Sequence, residues 1–273
     1  MERAKTNLRL ESWVEELLSL GRYGFALDQL RKAFPEQSET ANKFALKRLS
    51  DKNKIISIYK GYYLILPPQY AKKGVLPVPL FLDAFMHYLQ RPYYVSLLNA
   101  AAYQGASHQQ SQEFFVITTF PVLRATQKRG LKINYMSINK IPEGLIVKHK
   151  TEAGYLNVSS PALTATDLVQ FEKRTGGLNR VSTILNELAN NIKPSDFKKA
   201  LFNHVPATAF QRLGYLLEFV CNQQNLADTL FKTMEDHKLM LFRIPLKASK
   251  TSKGFSSANR WNVIVNTEIE IDE

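Results

Sequence analysis

Apolar positions at the start of the chain fall into short periodic runs separated by clear breaks. From Leu8 to Leu20, the residues Leu10, Trp13, Val14, Leu17 and Leu18 recur at i, i+3, i+4, i+7 and i+8. That spacing is one stripe of a helix, which Gly21 ends. Ala26 to Phe34 repeats the period with Leu27, Leu30 and Phe34. Pro35 stops it, because proline has no amide N–H for the helix ladder. A third helix begins at Ser38, whose side-chain oxygen can accept from a first-turn amide. It runs to about Asp51 with Ala45, Leu46 and Leu49 inward, while Phe44 fits either the core or the outer edge. The pattern then turns β-rich: Ile55 to Tyr59, Lys60-Gly61 at hairpin-turn length, then Tyr62 to Leu66, ended by Pro67-Pro68. Helix, turn, helix and hairpin together predict a winged helix-turn-helix over residues 1–74.

The remainder, residues 75–273, predicts an α+β domain. Gln69 to Pro79 reads as a linker, with Lys72-Lys73-Gly74 and two prolines breaking the periodicity. Helices are expected at Phe81 to Leu89 and Tyr94 to Tyr103. Strand-like runs follow at 114–118, 131–138, 144–150 and 154–158, with Glu152-Ala153-Gly154 as a turn. The expectation is an antiparallel sheet with the two preceding helices on one side, sheet-rich over about 75–165. Pro161 to Lys173 reads as a helix broken by Gly176-Gly177. From about 166 to 245 the pattern is helical, with candidates at Val181 to Asn190, Pro194 to His204, Ala207 to Cys221 and Asn225 to Met234. Residues 246–273 hold a basic loop without carboxylates (247–260), a last strand (Trp261 to Val265) and an acidic tail (268–273).

Charge changes this picture more than composition does. The chain has 273 residues and a formal charge of +12. Lys and Arg outnumber Asp and Glu 14 to 8 in residues 1–74 and 7 to 2 in residues 121–155, but only 14 to 12 in residues 156–273. The excess therefore lies in the winged helix and in one middle segment, which favours an acidic partner, most often nucleic acid. No apolar run reaches the roughly 18 residues of a membrane span, and the N-terminus lacks a signal-peptide core, so no membrane role is expected and the cytoplasm is the expected compartment. One cysteine, Cys221, excludes an intrachain disulfide and a cysteine zinc site.

A helix can enter the major groove and present its outward side chains to base edges, while cations meet phosphates. The candidate reading surface is Ser38, Thr40, Asn42, Lys43, Lys47 and Arg48 on the third helix, with Lys54, Tyr59 and Lys60 on the wing. The other reading of this surface is a solvated basic face or a protein-binding module, because winged helices serve both uses. The segment 124–132 carries Arg124, Lys128, Arg129 and Lys132. It is either an ordinary solvated loop or a second contact surface, which Lys148 and Lys150 would extend.

Catalytic patterns are missing. His87, His108, His149, His204 and His237 form no HxxxH or HExxH pair, and neither GxGxxG nor GxxxxGK[ST] occurs. Glu143, Glu152 and Asp167 lack metal-nuclease spacing and read as surface charges. Ser107-His108 and Cys221 have no nucleophile context. No catalytic residue, metal or cofactor is expected, and the chain does not read as an enzyme.

Several stretches carry a family likeness: KGYYLI (60–65), YYVSLLNAAAYQGASHQQ (93–110), GGLNRVSTILNELANNI (176–192) and RWNVIVN (260–266). In this layout the chain resembles the AbiEi family of antitoxins from type IV, abortive-infection toxin–antitoxin systems. The resemblance implies a bacterial or archaeal regulator whose winged helix binds double-stranded DNA at the operator of its own operon and represses it. It also implies a C-terminal domain that opposes a nucleotidyltransferase-type toxin, with no stable complex required. Two other readings remain: a winged-helix regulator whose C-terminal domain binds a small molecule, and a DNA-targeted enzyme such as a nuclease.

Overall fold

A computed structural model describes residues 2–106 and 111–271. Ser107-His108 and the last two residues of the acidic tail lie outside the described residues. In chain order the first elements are α1 (Glu2–Ser19), β1 (Gly24–Ala26), α2 (Leu27–Ala33), α3 (Glu39–Asp51), β2 (Ile55–Tyr59), β3 (Tyr62–Ile65), α4 (Pro68–Ala71) and α5 (Leu82–Tyr88). Next come β4 (Tyr93–Val95), α6 (Leu97–Tyr103), β5 (Phe114–Thr119), β6 (Thr126–Lys128), β7 (Leu131–Ile138), β8 (Ile146–Thr151) and β9 (Gly154–Ser159). The last are α7 (Pro161–Gln170), α8 (Glu172–Thr175), α9 (Leu178–Leu188), α10 (Lys199–His204), α11 (Ala207–Phe219), α12 (Gln224–Asp236), β10 (Ile244–Pro245) and β11 (Val263–Ile264). The fold is mixed α+β. The chain forms two compact units: residues 1–93, 112–141 and 148–157 make the first, and 94–111, 142–147 and 158–273 the second.

In the first unit, the apolar stripes converge as their spacing requires. Leu10, Val14 and Leu17 of α1, Leu30 of α2 and Ala45, Leu46 and Leu49 of α3 share one core with Phe25, Phe34, Ile55 and Ile65. Trp13 packs edge-on against Phe25 and Phe34, at 5.1 and 5.9 Å between ring centroids. β1, β3 and β2 form an antiparallel sheet in that order, with Phe25 opposite Tyr63 and Ile56 opposite Leu64. The strand β1 was not expected, because three residues are too few to show alternation. Its Gly24 has a packing reason: a Cβ there would lie 2.7 Å from Tyr62 Oη.

Further along the same unit, β5 and β7 run parallel, with Phe114 opposite Ile133, and β6 pairs antiparallel with β7. This corrects the expectation of a purely antiparallel sheet. Eleven residues, 120–130, separate β5 from β7, enough to carry the chain across instead of turning it back. Part of that connection supplies β6.

In the second unit, β4 and β9 pair in parallel through Val95 and Val158. Tyr94 and Val95, expected in a helix, are strand. Ser96 is extended and Leu97 has φ +54°, so the helix starts after them. An apolar run buried on every side has no period that separates helix from strand. All four expected C-terminal helices are present as α9 to α12, with ends shifted by a few residues. α7 is buried from Ala162 to Val169 and forms the centre of this core. On α11, Gly214 leaves room for the buried Trp261 ring, which a Cβ would meet at 2.0 Å. The Trp261 indole N–H donates to Glu218 Oε2 at 2.6 Å. The last strand is shorter than expected and pairs in parallel with β10.

Candidate nucleic-acid interface

The helix α3 starts as its sequence requires: Ser38 Oγ accepts from the Ala41 amide at 3.2 Å. The Ser38 hydroxyl is therefore engaged at the helix end. Thr40, Lys43, Phe44, Lys47 and Arg48 are all exposed. Their spacing of i, i+3, i+4, i+7 and i+8 places them on one face. Asn42 is not part of it. It is only 2% exposed, on the core side of α3, so it cannot reach a base edge. Conversely, Phe44 settles outward and is 60% exposed amid the cations. Glu39, in the first turn of the helix, accepts from Arg31 Nε at 2.7 Å and Nη2 at 3.0 Å. These hydrogen bonds hold the Glu39 carboxyl below the usual carboxylate range, and the charge of Lys43 adds to the effect.

The hairpin after α3 turns at Lys60-Gly61, with Gly61 at φ +75° and Lys60 exposed at the tip. Tyr59 is partly exposed, and its ring edge meets Phe85 at 5.9 Å. Lys54 is partly exposed and already engaged: it is ion-paired to Glu11 and Glu15 of α1. Its hydrogen bond to Glu11 comes first among the effects that raise its pKa.

The 124–132 segment folds into the β6–β7 hairpin, turning at Arg129 and Gly130 with φ +46° and +85°. Arg129 Nη1 donates to Asn53 Oδ1 at 2.8 Å. This bond joins the hairpin tip to the α3–β2 connection, and β6 packs on β2. Lys128 and Arg129 are thereby brought beside the start of the β2–β3 hairpin, and both remain exposed. Lys132 is drawn away from them: it pairs with Glu113, which also accepts from Asn134 Nδ2 at 2.6 Å. Arg124, Lys148 and Lys150 are exposed.

Other polar groups sort out differently from their expected roles. Glu143 and Glu152 are exposed, but Asp167 is 2% exposed inside the second unit and is no surface charge. Ser96 Oγ donates to Asp167 Oδ2 at 2.6 Å. Burial raises the Asp167 pKa to about 7 against the pull of the Ser96 and Tyr94 hydroxyls. A lone Asp on a helix carries no sequence mark of this burial; only the unbroken apolar run around it, Ala162 to Val169, hints at it. Burial likewise pushes the Cys221 thiol up to about 12, far from a reactive thiolate. Among the described residues, no cluster of three His, Cys, Asp or Glu could hold a metal ion, and no helix is long and apolar enough to cross a membrane.

Residues 94–219 match the family described as the AbiEi antitoxin C-terminal domain. The chain is also similar to a solved structure, the crystal structure of RV2827C protein from Mycobacterium tuberculosis. That similarity has a TM-score of 0.65 at 14% identity, over 92% of this chain and 89% of that one. At this identity the likeness shows a shared fold. No curated protein matches the chain. The family match thus falls on the middle of the chain, residues 94–219, and what it shows is a domain similar to the AbiEi antitoxin C-terminal domain.

Proposed function

We propose that this protein is a DNA-binding autorepressor and antitoxin that counteracts a nucleotidyltransferase-type toxin. In this reading α1 to β3 form a winged helix-turn-helix, and α3 is its recognition helix. The observation that carries the DNA half is the single exposed face of Thr40, Lys43, Phe44, Lys47 and Arg48; Lys60, Lys128 and Arg129 of the same unit are exposed as well. Lys43 and Lys47 suit phosphates, and Arg48 suits a bidentate base contact. We assign DNA reading to residues 1–74, assisted by the β6–β7 hairpin, and antitoxin activity to the remainder, 75–273. The match of residues 94–219 to the AbiEi antitoxin C-terminal domain supports the antitoxin half. The nucleotidyltransferase class of the toxin is part of the proposal, as is action without a stable complex.

The test is a titration of the full chain against its upstream promoter DNA at several salt concentrations. Neutralised phosphates release counterions, so Lys43→Ala with Lys47→Ala should lower the log–log salt slope by about 2. An unchanged slope and affinity would remove α3 from the interface.

A further inference from the structure

The first unit contains a cleft of about 950 Å³, walled by β1, the start of β3, α5 and the β8–β9 turn. Packed interiors rarely leave voids larger than a water molecule, and this volume falls in the range of small-molecule sites. Tyr62, Tyr88 and Tyr155 line it: Tyr88 and Tyr155 keep ring surface open, and Tyr62 packs its ring on Phe85 and Tyr88. Its charged lining is unbalanced. Arg22 and Arg91 face one carboxylate, Asp83, and that carboxylate already accepts from Tyr93 Oη at 2.8 Å. Arg91 gives one N–H to the Thr119 carbonyl at 3.0 Å, leaving most of its five donors. Arg22 is exposed and has no ion-pair partner among the described residues. Tyr62 is 3% exposed, and its hydroxyl has no hydrogen-bond partner among the described residues. A buried hydroxyl without a partner is costly, and the chain keeps a glycine at position 24 to admit it.

We propose that this cleft binds a small aromatic anion, its ring against the tyrosines and its charged group on Arg22 and Arg91, and that occupancy controls the wing. The second half rests on the DNA-binding reading, whereas the binding itself does not. The link to the wing is direct. Tyr88 Oη donates to the Lys60 carbonyl at 2.9 Å, and a Cβ on Gly61 would lie 2.9 Å from the same oxygen. Tyr62 follows Gly61 in the chain. A ligand that moves either tyrosine must therefore move the turn that carries Lys60. Cationic ligands are disfavoured by the two arginines.

Calorimetry on the full chain tests this with two aromatic anions, adenosine monophosphate for a phosphate source and 4-hydroxybenzoate for a carboxylate source. Adenosine and inorganic phosphate serve as controls lacking the anion or the ring. The expected result is saturable binding of one aromatic anion with Kd below about 1 mM, with both controls at least about tenfold weaker. Arg22→Gln and Tyr62→Phe should each weaken it by about tenfold without lowering the Tm of the free protein. No saturable heat from either anion up to about 10 mM, or equal affinity in both variants, overturns the site. The bound anion should then change promoter affinity, and DNA should change anion affinity by the same factor. Anion binding with unchanged promoter affinity overturns the control of the wing. Failure to bind any DNA overturns the DNA-binding reading while leaving the calorimetric result standing.

Discussion

Phe44 and Asp167 each sit where their side-chain chemistry is disfavoured, an aromatic ring in solvent and a carboxyl in the core. A phenylalanine that is 60% exposed on a basic helix face gains nothing from burial within its own fold. In a major groove it could pack on the methyl group of thymine. Phe44→Ala should weaken binding to the specific site by roughly five- to tenfold while leaving non-specific duplex affinity and salt slope unchanged. Equal loss on both DNAs in parallel titrations would count against this role. Asp167 makes a different prediction. Its folded pKa, raised to about 7, exceeds the ordinary carboxylate value. The folded state therefore binds more protons than the unfolded state between about pH 4 and pH 7, and stability falls as pH rises through that window. Asp167→Asn can still accept from Ser96 and has no proton to lose. Its Tm should exceed that of the native chain at pH 8, by the equivalent of roughly 4 kcal/mol, and converge with it near pH 4. Parallel melting curves across that range, offset by a constant amount, would sink the argument.

Elements with a strong period were legible in the sequence, whereas elements defined by tertiary pairing were not. The cap at Ser38, the inward face of α3 and the Lys60-Gly61 turn follow from local chemistry, and so do the helices α9 to α12. β1 and β6 span three residues each, too few to show alternation, and β1 is held by a strand far along the chain, β3. The parallel pairing of β5 and β7 is likewise set by tertiary contact and leaves no local signal. The phase of α3 decided which candidates survived: Asn42 turns inward and Phe44 outward, a rotation that boundary signals alone do not fix. Ion pairing then withdrew Lys54 and Lys132, because partners on α1 and just before β5 are invisible to a linear reading. The β6–β7 hairpin gained a role by the same route, through Arg129 and Asn53. If its tip contacts phosphate, Arg129→Ala should lower the salt slope by about 1 without changing sequence preference. A shift in sequence preference instead would make Arg129 a base reader.

The proposed molecule performs two tasks, and they should separate by surface charge. The double substitution of Lys43 and Lys47 by alanine lies wholly on exposed positions and should leave the fold intact. Co-expressed with the neighbouring toxin, that variant should restore growth as well as the native chain while failing to repress a promoter fusion. Loss of rescue along with repression would mean that both tasks use α3 or that protection depends on DNA binding.

The first compact unit consists of three separate stretches of chain, with residues 94–111 and 142–147 belonging elsewhere. It therefore cannot be moved or removed as a cassette. A truncation after residue 74 would leave β6 without the β2 strand it packs on and Arg129 without Asn53. The orphaned strands would carry exposed edges into whatever fragment remained. Growth assays on such fragments would then report aggregation as readily as lost activity. Single-residue substitutions are therefore the tool that can part the proposed DNA-reading and protective functions.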